Sequence, residues 1–275
     1  MFDTHCHLNF KAFKKNLDEV VSIAHKVGVR NIVVPGTDVK TSTRGVEIVT
    51  KLDGVYAAVG IHPHHVYKLI KREDLTVESE LAKIQDLLSH PKVIAVGEVG
   101  LDNHTYENTV YQDYQVDSRF SDLQKELFQK QIDLAIKFKK SLILHNREAR
   151  DDFLQILREK WVKNLEYKTV FHCCEPDETL LSFAREHHIF IGVDGDITYS
   201  KQKQEFIKKI PLQMLVLETD SPFLLPEPLK SQKKYPNEPA NIALIAKFIS
   251  HLCGVNIEDL QKFTTDNARR LFSLT

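Results

Sequence analysis

The chain lacks an excess of charge. It has 37 Lys plus Arg against 38 Asp plus Glu, a formal net charge of −1. No global basic field exists to hold nucleic acid indiscriminately, so any contact with a polyanion has to be local. Cysteine is scarce: four in 275 residues, with Cys173 and Cys174 adjacent. That excludes a disulfide framework and points to a reducing, cytoplasmic setting. No apolar run approaches the roughly 20 residues that a membrane helix needs. The N-terminus, Met1-Phe2-Asp3-Thr4-His5, has neither the basic nor the apolar region of a secretion signal. There is no G-x-G-x-x-G after any strand pattern, which disfavours a dinucleotide-binding open sheet. Linkers, low-complexity tracts and strong repeats are missing too.

What is there is alternation. Short apolar runs rich in Val and Ile occur at Met1–Phe2 leading to Cys6, Asn31–Pro35, Val55–Ile61, Val93–Val96, Ser141–Leu144, Thr169–Phe171, Ile189–Val193 and Met214–Leu217. They show little polar alternation, the pattern of parallel strands buried on both faces. Between them lie amphipathic stretches: Leu17 to Val27 closed by Gly28, Phe120 to Phe138, Phe153 to Trp161, Leu180 to His187, Ala240 to Leu252 and Ile257 to Phe263. Eight strand–helix units of about 34 residues predict an α/β fold, a (β/α)8 TIM barrel, with residues 1–275 as one domain.

In such a barrel, chemistry sits where the strands end. These ends carry His5 and His7, His62 and His64, Glu98, His145, His172 and Asp220. His5 and His7 are two apart, so strand periodicity puts both imidazoles on one face, suited to Zn, Mn or Fe. Glu98 stands between Gly97 and Gly100, and a carboxylate has two oxygens with which to bridge two cations. His145 and His172 come from neighbouring strands and can meet at the mouth. Arg147 can clamp an anionic oxygen or pair with an acid such as Asp151. Asp220 can bind a metal and take a proton, or cap the turn before Pro222. Asp102 is either a support for these ligands or a helix cap. His62 or His64 can donate to a substrate, whereas His65 reads as exposed loop. Cys173 and Cys174 read as packing residues. Lys233 and Tyr235, in the basic segment Lys230–Tyr235, can guide a single strand, with Tyr235 stacking on a base, or belong to a solvated loop.

Taken in order, Asp3-Thr4-His5-Cys6-His7-Leu8, Gly60-Ile61-His62-Pro63-His64, Val96 to Asp102, His145-Asn146-Arg147-Glu148-Ala149, Glu218-Thr219-Asp220-Ser221-Pro222, Asn237-Glu238-Pro239 and Thr265 to Leu271 resemble the TatD family of metal-dependent deoxyribonucleases. The resemblance spans nearly the whole chain. It implies an amidohydrolase-like barrel holding two divalent metal ions (Zn, Mg or Mn) and hydrolysing DNA phosphodiesters, often from a 3′ end. The implied substrate is single-stranded DNA or a frayed end. It implies that His5 and His7 ligate one metal, Glu98 bridges, His145 and His172 ligate the second, and Asp220 completes the first. It sets His62, His64 and Arg147 toward the phosphate. Glu98, Asp220 and His62 are the expected catalytic groups.

Three departures fall in the substrate loops: Asn103-His104 in place of aromatics, Cys173-Cys174-Glu175-Pro176 after the sixth strand, and Pro236 where a basic residue is usual. One alternative is a barrel amidohydrolase, lactonase or phosphotriesterase acting on a small molecule. It is disfavoured because Glu98, not lysine, occupies the fourth strand exit. A non-catalytic nucleic-acid binder has no need of convergent ligands.

Overall fold

The computed structural model describes residues 1–106 and 116–274. Eight parallel strands follow one another in chain order: β1 (Phe2–Asp3), β2 (Asn31–Pro35), β3 (Val55–Val59), β4 (Val93–Asp102), β5 (Ser141–Arg147), β6 (Thr169–Phe171), β7 (Phe190–Val193) and β8 (Leu215–Leu217). The sheet curls until its first and last strands meet. Thr4 N donates to Leu217 O at 3.1 Å, Asp220 N to His5 O at 2.9 Å and His7 N to Ser221 O at 2.7 Å. Cys6 and Ser221 form a parallel bridge. The Asp3 carboxylate stitches the same seam, accepting from Thr219 N at 3.0 Å and Thr219 Oγ1 at 2.7 Å. The result is the expected barrel, nearly closed, with helices around it.

Strand periodicity explains both the core and the site. Along β5, Leu142 and Leu144 pack outward into the shell beneath the helices, while Ile143 points into the barrel. On β8, Leu215 and Leu217 go outward and Val216 inward. The inward set includes Phe2, Val33, Ile143, Val170, Phe190 and Val216. Ala268, Leu271 and Phe272 pack against it from one end. Continuing the period by two places His145 and Glu218 on the inner face, above this apolar plug.

Two strands outrun their apolar signals. β4 reaches Asp102 and β5 reaches Arg147, pairing Gly100 with His145 and Asp102 with Arg147. A register irregularity between Val96 and Val99 lets β4 continue. Gly100 is required there, because a Cβ would sit 1.8 Å from the His145 carbonyl oxygen. Asp102, His145 and Arg147 therefore ride on paired strand, and Glu98 on the irregular step within β4, rather than on loops.

The helices are α1 (Leu17–Lys26), α2 (Val39–Val49), α3 (Val66–Lys71), α4 (Val77–Leu87), α5 (Ser118–Phe138), α6 (Arg150–Lys160), α7 (Glu178–Glu186), α8 (Lys201–Ile207), α9 (Ile242–Cys253) and α10 (Ile257–Leu271). Asn267 of α10 donates to the carbonyls of Leu212 and Leu215, both at 2.7 Å, anchoring that helix beside β8. Among the described residues no single helix is long and apolar enough to cross a membrane.

Candidate metal centre

The C-terminal strand ends surround a cavity of about 580 Å³ whose walls include His7, His62, Glu98, His145, His172 and Asp220. His5 lies beneath it, fully buried. Glu98 stands at the middle, and its two oxygens face different partners. Oε2 is 3.4 Å from His5 Nε2 and 3.8 Å from His7 Nε2. His7 Nε2 is in turn 3.4 Å from Asp220 Oδ1. Oε1 is 2.9 Å from His145 Nδ1, 3.5 Å from His62 Nε2 and 3.8 Å from His172 Nε2.

This donor set fits divalent cations. His5 Nε2 and His7 Nε2 lie 3.2 Å apart, and two imidazole lone pairs aimed at one point repel unless a proton or a cation lies between them. Ligands about 2.1 Å from a tetrahedral ion stand roughly 3.4 Å from one another, close to the 3.2, 3.8 and 3.4 Å spacings among His5, His7 and Asp220. The mix of imidazoles and carboxylates suits Zn or Mn, and the carboxylates also suit Mg.

The chain holds two of these imidazoles from behind. His145 Nε2 donates to Asp102 Oδ2 at 2.9 Å, leaving Nδ1 for the centre. His172 Nδ1 meets Glu218 Oε1 at 3.0 Å, leaving Nε2. Glu218 is itself fixed by Cys173 N at 2.6 Å and Thr4 Oγ1 at 3.3 Å. Asp102 Oδ2 also meets His64 Nε2 at 2.8 Å and accepts from Tyr106 Oη at 2.9 Å. Carboxylates placed like this set the ring orientation and tautomer of a metal-binding histidine. His62 has its tautomer set differently. Its Nδ1 accepts from His64 N at 3.2 Å, so Nε2 carries the proton that faces the cavity.

The electrostatics follow from burial and neighbours. Burial alone would raise Glu98, but His62, His145, His172 and His5 hold its carboxyl well below the usual range. Burial opposes charge on His172, yet Glu218 and Glu98 lift it to about 10. His145 rises to about 9 against its burial because Asp102 and Glu98 stabilise the cation. His62 is pushed down to about 3, mainly by burial, and is a neutral donor near pH 7. Burial raises Asp3 to about 8 despite its hydrogen bonds. It sits in the seam, not in the cavity.

Of the residues expected from sequence, His5, His7, Glu98, His145, His172 and Asp220 converge. His62, His64 and Arg147 line the same cavity. Arg147 does not pair with Asp151: its Nη1 donates to Tyr106 Oη at 3.0 Å, and Asp151 is taken by Arg150. Lys233 and Tyr235 are exposed and do not line the cavity. His65, expected on an exposed loop, is half-buried against the Asp38 carboxylate at 3.7 Å. Cys174 packs in the core, but Cys173 reaches the cavity wall. A further cluster of Cys173, Glu175 and Asp196 is already served by the buried ammonium of Lys203, 2.7 Å from Asp196 Oδ2.

The sequence leaves Asp102 open between a support and a helix cap and carries no signal for Tyr106, Phe10 or Phe223; Asp102 supports His145, and the three aromatics line the cavity. A signal existed for the acids: Asp102 lies four residues from Glu98 on β4, and Glu218 continues the inward period of β8, two residues after Val216. The Asn237-Glu238-Pro239 motif is structural here. Asn237 is buried and donates to Thr219 O at 2.9 Å, tying the loop after β8 to the rim.

A family model described as "TatD related DNase" matches residues 2–273. An uncharacterized metal-dependent hydrolase of Bacillus subtilis strain 168, YabD, is 35% identical, covering 100% of this chain and 99% of that protein. The 3′-5′ ssDNA/RNA exonuclease TatD of Erwinia tasmaniensis is 30% identical, covering 100% of each. Among solved structures, the TatD homologue YJJV of Escherichia coli K12 superposes with a TM-score of 0.86 at 26% identity, covering 100% of this chain and 98% of that one.

Proposed function

This chain belongs to the TatD-related DNase family, and on that premise we propose that it is an exonuclease that uses two divalent metal ions. It removes nucleotides from the 3′ end of single-stranded DNA or of a frayed duplex. The observation that carries the reading is the two-sided environment of Glu98. One oxygen faces His5, His7 and, through His7, Asp220; the other faces His145 and His172.

His5, His7 and Asp220 would hold one ion and His145 and His172 the other, with Glu98 contributing a carboxylate oxygen toward each group; the ions would be Zn, Mg or Mn. When bound, the ions supply Lewis acidity and a lowered pKa for water at a phosphodiester. The chain's own groups do the rest. Asp220 Oδ1 accepts the proton of the attacking water, held ready as an anion by His7, His172 and His5 against its burial. Arg147 lies at the cavity wall with its guanidinium 5.1 Å from the Tyr106 ring centroid, where it meets the non-bridging oxygens of the phosphate. The Nε2–H of His62 donates to the same group. Asp102 and Glu218 keep the imidazoles from turning, so stabilisation is in place before charge develops.

Asp220→Asn and Glu98→Gln, assayed separately on 3′-labelled single strands with saturating metal, should each lose at least about a hundredfold in kcat. Wild-type turnover in either variant would refute the assignment. Metal analysis of the purified protein should find two ions per chain.

A further inference from the structure

The cavity has two chemically opposite walls. On the β5 side Arg147 leans on Tyr106. On the other side stand Phe10 and Phe223. Phe10 lies flat on His7, with ring centroids 4.3 Å apart and 17° between the planes. Phe223 meets Phe10 edge-on at 6.1 Å and 75°. Phe223 remains 46% exposed. Scattered exposed apolar residues are ordinary. Phe223 differs in its position, a bare aromatic ring on the lip of a polar cavity, three residues after Asp220.

The surroundings give a direction. Beyond Arg147, a groove of about 730 Å³ shares Asn146, Arg147 and Glu175 with the cavity. It is lined by five carboxylates and two guanidiniums, and Arg150 is already engaged by Asp151 and Asp177. A polyanion is repelled there. Beyond Phe223, the chain runs into the exposed Lys230, Lys233, Lys234 and Tyr235. Lys230 Nζ lies 3.9 Å over the Tyr199 ring, which holds this segment at the β7 side of the rim. A strand whose scissile phosphate sits at Glu98 therefore ends toward Arg147 and continues over Phe223.

We infer that Phe223, backed by Phe10, is the stacking platform for the base on the retained side of the scissile phosphate, the penultimate base of a 3′ end. This rests on the exonuclease reading and adds to it the group that sets the register of the strand. A flat apolar ring holds any base without reading its edge, so the platform is tolerant of sequence.

The test uses single strands carrying 2-aminopurine at the penultimate position, with a phosphorothioate at the scissile bond to block turnover. Wild type and Phe223→Trp should quench the fluorescence on binding; Phe223→Ala and Phe223→Leu should not. In a parallel turnover assay, an abasic penultimate position should cost wild type about tenfold in kcat/KM, the usual worth of one stacked base. It should cost Phe223→Ala almost nothing further, while an abasic terminal position affects both proteins alike. Undiminished quenching in Phe223→Ala, or an equal penultimate penalty in both proteins, would overturn the platform and leave the nuclease reading intact. Quenching without cleavage of unmodified strands would overturn the nuclease reading and leave the platform standing.

Discussion

At the scale of single residues, the centre depends on groups that never need to touch an ion. Asp102 gathers His145, His64 and Tyr106 on one oxygen, so it links His145 to Arg147, the proposed phosphate clamp, through Tyr106. Asp102→Asn keeps the size but removes the charge and one acceptor. Its affinity for divalent ions should fall about 10–100-fold, measured by competition with a chromogenic chelator, and KM should rise because the clamp loosens. Glu218→Gln should weaken metal binding to a similar degree through His172, with less effect on KM. Unchanged metal affinity in both variants would mean that the rings are held by packing alone. Asp102 was hard to read from sequence for a physical reason. Its partners arrive from β5, from the turn after β3 and from Tyr106, and only the irregular pairing of β4 brings them together.

At the scale of elements, α5 carries a device that its amphipathic pattern concealed. Gln124 and Gln131 are buried on one face of the helix, seven residues apart, and each brackets a backbone unit. Gln124 accepts from Asp102 N and donates to Asp102 O, both at 2.9 Å. Gln131 accepts from Ile61 N at 2.7 Å and donates to Ile61 O at 3.0 Å. One helix thus sets the ends of two strands, β4 and β3, just where Asp102 and His62 begin their work.

Helix α2 shows a stability device of another kind. Asp38 caps it, accepting from Thr41 N at 2.8 Å and from Lys68 Nζ at 2.6 Å. Burial works against the charge, but Lys68, His65 and Thr41 bring its pKa down from 3.8 to about 2. A depressed carboxyl contributes stability above its unfolded pKa and loses it as pH falls through the folded one. Lys68 is half exposed, so solvent screening trims the gain. Asp38→Ala should cost about 1–2 kcal/mol at pH 7. The difference should shrink between pH 4 and pH 2, as followed by urea unfolding across that range. A gap that persists at pH 2 would assign the cost to something other than the charge.

At the scale of the molecule, the barrel was legible because its signal is redundant. All eight strands lie where the apolar runs fall, with ends that differ by up to three residues except in β4, which runs six further. Six amphipathic stretches became helices. Helices α2, α3, α4 and α8 were not foreseen. The Thr41, Ser42, Thr43 and Gly45 of α2 are weak helix formers, held by a cap and by packing rather than propensity. The convergence of the six ligand candidates was legible from strand ends and a period of two. The aromatic wall was not, because Phe10 and Phe223 lie on connections whose paths only the folded barrel defines.

Stability should register the ions globally. On the proposed two-ion reading, excess divalent cation binds the folded chain and not the unfolded one. At about a thousand times its Kd it should add roughly 4 kcal/mol, seen as a rise in Tm that a chelator reverses. A Tm indifferent to both would deny the centre.

The seam between β1 and β8 has a consequence for how the protein comes into being. Thr4 and Leu217 are separated by 213 positions along the chain, yet the neighbouring His5, His7 and Asp220 face one another. A nascent polypeptide still short of its eighth strand already carries His5, His7 and Glu98 but lacks Asp220, so the first proposed ion position is incomplete. On the proposed assignment, competence for catalysis waits until the ring is sealed and Asp220 reaches His7.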